Sequence, residues 1–207
     1  MMPNKFYLGL DLGQAQDYSA LAILERQGYA RGSVYHCRHL QRWPLRTSYT
    51  AIVADTARMV NSPELQPANE LLRRTEPKPV LAVDATGVGA PVIDLFKAER
   101  LNGQLEPIQI TGGSEVTNEN GTTRVPKRDL VSSAQVALQN NRLQIAAVLP
   151  DAPTLIRELQ NFQVKITDNA HDTYGAWREG TNDDLVLAVA LALWIAENGI
   201  DNRVYIF

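Results

Sequence analysis

Four aspartates stand where the chain changes from one kind of element to another. Asp11 closes the apolar run Phe6-Tyr7-Leu8-Gly9-Leu10, Asp84 closes the run Val80-Leu81-Ala82-Val83, and the pair Asp183-Asp184 opens the apolar stretch 185–196. Short apolar runs of this kind suit inner strands, and a stretch that is apolar on every side suits a helix packed inside a domain. A charge at the end of a buried element is costly unless something pairs with it. Carboxylates brought together from three such ends supply the oxygen ligands that Mg²⁺ or Mn²⁺ takes, whereas three His and one Cys are too few for a zinc cage. Two such ions about 3.5–4 Å apart can activate a water and stabilise the leaving oxygen of a phosphodiester, which defines a hydrolysis chemistry.

Each acid also has a local explanation. Asp11 runs into the turn Gly13-Gln14-Ala15-Gln16-Asp17, and Asp84 precedes Gly87 and Gly89, so either carboxylate can bond its own turn. Thr181 and Asp184 fit the Ser/Thr-x-x-Asp/Glu capping pattern, and an acid at a helix start is favoured by the helix dipole. Capping accounts less well for two adjacent acids at the mouth of a buried helix, where their repulsion calls for a compensating cation.

The elements that must position these acids can be read in order. Three strands open the chain, over 6–11, 19–24 and 33–40, the third antiparallel to the second and nearer the sheet edge. A helix capped by Thr47 or Ser48 carries Ile52, Val53, Ala57 and Val60 and ends near Asn61-Ser62-Pro63. Residues 67–79 predict a further short helix and a surface connection. Strand 80–84, a glycine turn and a helix through Val92, Ile93, Leu95 and Phe96 make a parallel crossover unit. Residues 105–110 give another strand, and the polar segment 111–125 reads as a mobile loop or protruding hairpin. Pro126 opens a helix with Leu130, Val131, Ala134, Ala137 and Leu138. Asp151 caps another with Leu155, Ile156, Leu159 and Phe162, and 164–167 form a short strand before the last helix.

At 207 residues, 44% hydrophobic and 21% charged, the chain has the composition of one folded domain, and neither disorder nor a disulfide scaffold is indicated. A net charge of −3 means that any nucleic-acid contact must be local. Lys127 and Arg128 are candidates, since two cations in the first turn of a helix oppose its dipole and suggest an outside phosphate. Arg178, close before the acid pair, is a third. The lone Cys37, the lack of a charged-then-apolar leader and a longest apolar run too short for a bilayer lead us to expect a cytoplasmic protein with no membrane contact.

The ordered set Gly9-Leu10-Asp11-Leu12-Gly13 with Asp17-Tyr18-Ser19-Ala20, then Val83-Asp84-Ala85-Thr86-Gly87-Val88-Gly89, then Asn182-Asp183-Asp184-Leu185-Val186-Leu187-Ala188 resembles the nuclease domain of phage terminase large subunits. These belong to the ribonuclease H-like superfamily. The resemblance runs from about residue 5 to 198 and includes Val125-Pro126-Lys127-Arg128 and Tyr174-Gly175-Ala176-Trp177-Arg178-Glu179-Gly180, which leaves 199–207 as a tail on a single domain. It implies an α/β, three-layer ribonuclease H-like domain: a mixed sheet with an antiparallel three-strand start and parallel strands, and helices on both faces. It also implies a two-metal-ion endonuclease that uses Mg²⁺ or Mn²⁺ and cuts double-stranded DNA during genome packaging, in a bacterial host. By this resemblance Asp11, Asp84 and Asp184 bind the metals and Asp183 assists, with Asp17 and Asn182 accessory.

Two features depart from the family's pattern. Asn182 stands where the family often carries His, and Asn can only hydrogen-bond. The sequence also has no Gly-x-x-x-x-Gly-Lys-Ser/Thr motif. The expectation is therefore an excised domain or a stand-alone relative, with an ATPase motor domain, a small terminase subunit or a portal supplied separately. The competing classes are a catalytically silent nucleic-acid-binding or assembly module of the same fold, and an actin-like ATPase, whose first phosphate motif Asp11-Leu12-Gly13 resembles. The latter needs a second copy of the fold.

Overall fold

In the computed structural model, residues 5–13, 17–28, 32–66, 77–87, 89–166, 172–176 and 182–199 are described. The chain opens with β1 (Lys5–Asp11), β2 (Ala20–Gln27) and β3 (Val34–Arg42), paired antiparallel in sequence order as expected. Helix α1 (Tyr49–Val60) follows, and its cap is Ser48, whose hydroxyl accepts from the Ala51 amide. Strand β4 (Val80–Asp84) lies parallel to β1, and α2 (Gly89–Ala98) crosses to β5 (Gln104–Thr111), parallel to β4.

The polar segment 111–125 is a hairpin whose second arm is part of the main sheet. β6 (Thr117–Glu119) turns through Asn120 and Gly121, both at positive φ, into β7 (Thr122–Pro126), which lies parallel to β5. Asn-Gly is the pair that a two-residue hairpin turn favours. The chain goes on through α3 (Lys127–Gln139), β8 (Leu143–Ile145), α4 (Ala152–Asn161), β9 (Phe162–Ile166), β10 (Asp172–Ala176) and α5 (Asp184–Asn198). β8 joins the outer edge of β3, and β9 and β10 form a separate antiparallel pair. The main sheet has the order β6-β7-β5-β4-β1-β2-β3-β8. The helix expected within 67–79 lies largely outside the described residues, as does most of the tail 199–207.

Successive strand residues point to opposite faces, and the buried side chains divide accordingly. Leu8, Leu10, Leu81 and Val83 pack with Ile52, Val53, Val60, Ile93 and Phe96 of α1 and α2. Tyr7, Ala22, Val80 and Ala82 pack with residues of α3, α4 and α5 on the other face. This is the three-layer arrangement with helices on both faces. Asp11 and Asp84 continue the second series, so both face the α5 side.

Gly9 sets how close α5 comes. A methyl group at this position would run into the Ala188 carbonyl oxygen and stand 2.7 Å from the Ala192 amide nitrogen, both of them backbone. Since α5 is buried along residues 184–196, it cannot shift outward without opening the core. Gly9→Ala is therefore expected to destabilise the fold by roughly 3 kcal/mol or more, the upper range for overpacking. The denaturation midpoint should fall with its slope unchanged. An unchanged midpoint would mean that α5 does not rest on β1.

Candidate metal centre

The register of β1 against β4 pairs Leu10 with Val83, which brings Asp11 and Asp84 to the next positions of adjacent strands. The third acid follows from the contact at Gly9. Asp184 precedes Ala188 by one helical turn, about 6 Å, and Asp11 follows Gly9 by two strand residues, about 6.6 Å. Helix and strand thus carry their acids the same distance from their point of contact, toward the same end of the sheet.

The electrostatics agree. Asp11 is buried, and its carboxyl is pushed well above the usual range by that burial and then by the charges of Asp84, Asp184 and Asp183, with Lys127 opposing. Asp84 is also raised, by burial first. The Thr86 hydroxyl and amide hold it down, as does a hydrogen bond with Asp11. Asp184 is buried and pushed up to about 6, by burial first, against Arg42 and with the charges of Asp183 and Asp17 adding to the rise. Asp84, Asp183 and Asp184 therefore all act on the Asp11 carboxyl, and Asp17, exposed beyond the end of β1, lies within reach of Asp184.

Asp84 also does what the local explanation required. Its Oδ1 accepts the Thr86 amide at 2.8 Å and the Thr86 hydroxyl as well, and Thr86 Oγ1 accepts the Ile110 amide at 2.8 Å. That leaves Oδ2 outside the turn. Asp183 occupies the N-cap position of α5 but makes no side-chain cap bond, and Lys127 Nζ lies 3.6 Å from its Oδ2. The cation that two adjacent acids call for is thus Lys127, at the start of α3. Its neighbour Arg128 points elsewhere, donating to the Ser114 carbonyl at 2.9 Å and lying 3.5 Å from Asp129. Asn182 is half-buried just before the acids. Arg178 lies outside the described residues, as do Thr181 of the proposed capping pattern and Trp177.

Two participants were not foreseen from the sequence. Glu158 of α4 is 7% exposed, and its Oε1 accepts from Arg42 Nη1 at 3.1 Å. Arg42 itself lies 3.9 Å from Asp184 Oδ2 and 4.0 Å from the centroid of the Tyr18 ring. Burial pushes Glu158 up to about 7, with the Val186 amide opposing and the charge of Asp184 adding to the rise. A signal was available: Ala152, Leu155 and Glu158 recur at spacing three along the buried face of α4, while Ile156, assigned to that face from sequence, is 46% exposed.

The donor set is all oxygen, and Asp184 Oδ2 is buried with no hydrogen-bond partner, so the residues fit a hard divalent cation by their chemistry. Among the described residues, no group of three or more His, Cys, Asp and Glu side chains forms a ready metal site. Also among the described residues, no helix is long and apolar enough to cross a membrane.

Comparison with family models and with curated proteins gives no match. Solved structures do match. The large terminase nuclease of thermophilic phage G20c with bound magnesium is 21% identical, over 92% of this chain and 80% of that one, with a TM-score of 0.61. The manganese-soaked human cytomegalovirus terminase nuclease domain is 13% identical over 97% and 85%, with a TM-score of 0.56. The large terminase nuclease domain of bacteriophage SPP1 with bound manganese is 14% identical over 91% and 84%, with a TM-score of 0.52. The eight-stranded mixed sheet, its strand order and these likenesses together give the chain the ribonuclease H-like fold of the terminase nuclease domains.

Proposed function

We propose that the chain is a metal-dependent endonuclease that hydrolyses phosphodiester bonds of double-stranded DNA, as a terminase nuclease domain would in genome packaging. The observation that supports this most is the meeting of Asp11, Asp84, Asp183 and Asp184 at one end of the sheet, where the other three raise the proton affinity of Asp11. Asp11, Asp84 and Asp184 would hold two Mg²⁺ or Mn²⁺ ions, with Asp183, Asp17 and Asn182 in support. Such ions supply the charge that draws on the scissile phosphate and makes an attacking water acidic. The chain's own residues provide the rest. Asp84 stays oriented through Thr86, and Lys127 balances Asp183. Arg128, with Lys127 and Arg178, offers cations to the DNA backbone, so affinity should come from phosphates and carry little sequence preference. A motor domain, a small terminase subunit or a portal would bring the DNA.

A catalytically silent nucleic-acid-binding or assembly module of this fold has one observation in its favour, that no three acids form a ready site among the described residues. Plasmid nicking separates the two. The expected result is cleavage with Mg²⁺ or Mn²⁺, no dependence on ATP, and complete loss in excess EDTA. DNA affinity should also fall steeply with salt. Cleavage that survives EDTA, or salt-dependent binding without cleavage at any Mn²⁺ concentration, would overturn the proposal.

A further inference from the structure

Helix α5 begins without a bond from its own N-cap side chain. Asp183 holds the N-cap position and makes no cap bond, although aspartate is among the residues best suited to that task. The bonds come from another helix. Glu158 Oε2 accepts from the Leu185 amide at 2.9 Å and from the Val186 amide at 3.2 Å, two of the donors that a helix start leaves unpaired. Its other oxygen accepts from Arg42 on β3, so α4, α5 and the main sheet are joined through one buried carboxylate.

The consequence falls on the two aspartates. An aspartate that caps its own helix turns its carboxylate back over the first-turn amides, where its oxygens are occupied. With Glu158 on those amides, Asp183 instead presents Oδ2 to Lys127, and Asp184 keeps a buried Oδ2 that no hydrogen bond reaches. Arg42 completes the arrangement from a fixed place. Its guanidinium is stacked against Tyr18 and bonded to Glu158, and it stays 3.9 Å from Asp184, too far for a hydrogen bond.

We infer that Glu158 is a positioning residue that caps α5 from outside and thereby keeps the Asp183 and Asp184 carboxylates free to meet a divalent cation, with Arg42 holding it in register. The inference rests on the proposed metal-dependent function. The cation site then depends on a carboxylate that need not touch the cation.

The test compares Glu158→Ala and Glu158→Gln in the full chain, following free Mn²⁺ by electron paramagnetic resonance. Ala leaves both amides without an acceptor, so a neighbouring aspartate is drawn back onto them, and Mn²⁺ affinity should fall roughly 10–100-fold, the range for residues that orient metal ligands. Gln gives up the contact with Arg42, since its NH2 only donates, but keeps an acceptor oxygen for the amides and should restore affinity to within about threefold of the wild type, a smaller change than that range. A merely structural role would not separate two folded variants in this way. Should Glu158→Ala fail to fold by circular dichroism, Glu158→Asp replaces it, since its shorter side chain falls short of the amides and predicts the same loss. Mn²⁺ affinity unchanged in Ala or Asp, or equally weak in Gln, would overturn the inference and leave the proposed function standing. No Mn²⁺ binding by the wild type would overturn both.

Discussion

Asp84→Asn is expected to abolish cleavage while leaving the protein, in EDTA, as stable as the wild type or more so. Loss of residues that only orient metal ligands costs roughly 10–100-fold, so loss of a direct ligand should cost at least about 100-fold. The stability half of the prediction follows from the site's own repulsion. Asp84 is one of the charges that raise Asp11, and removing it relieves the folded state. The turn should survive, because an Asn oxygen can still accept the Thr86 amide that now reaches Asp84 at 2.8 Å. If Asp84 served the turn alone, weakening that bond would instead lower stability by roughly 0.5–2 kcal/mol, the range for a lost local cap. Melting with and without Mn²⁺ decides between them. A ligand at 100 times its dissociation constant stabilises by about 2.7 kcal/mol, roughly 5–11 °C for a chain of this size. Wild type should gain this and the variant much less. Equal gains, with a destabilised variant, would remove Asp84 from the metal site.

What could be read in the sequence, and what could not, follows from the range of the signals. Asp11 and Asp84 were legible because a buried strand that ends in an acid is a local anomaly, and the faces they share follow from a period of two. Asp183 and Asp184 were legible as a pair at the start of a wholly buried helix. Their meeting with the strand acids is set by a contact that no local pattern encodes, the bare Gly9 backbone under Ala188. Glu158 was missed for a related reason. Its partners Leu185 and Val186 are 27 and 28 residues away, and its role is to satisfy amides that sequence reasoning assigned to a cap at Thr181 and Asp184. Lys127 was noticed for the right oddity, a cation at a helix start, but the anion beside it is Asp183 of the same chain. The strands that escaped, β8 and β10, are a three-residue edge and half of a pair outside the main sheet, too short or too polar to carry a period.

Asp184 offers a second large effect, on the pH dependence of stability. Burial raises its carboxyl from an ordinary value of 3.8 to about 6 in the folded protein. Between those values the folded state holds a proton that the unfolded state has released, so stability falls as pH rises, and the loss is complete above the folded value. In EDTA, wild type should therefore lose stability relative to Asp184→Asn as pH climbs from about 4 to about 7. The difference should level off at about 3 kcal/mol, or roughly 6–12 °C in melting temperature. The comparison with Asn removes the contributions of carboxylates elsewhere. It does not remove those of its neighbours, since Asp184 is one of the charges raising Glu158 and Asp11, and their relief has the same sign. Arg42 is not stranded by the change, because Glu158 remains bonded to it at 3.1 Å. Adding Mn²⁺ near pH 7.5 should reverse the order of the two proteins, since the charges that repel one another are those that a cation would gather. Parallel pH curves in EDTA would show that Asp184 is charged in the folded state at no cost. A persistent advantage of the variant in saturating Mn²⁺ would show that the cation, if it binds, does so without Asp184.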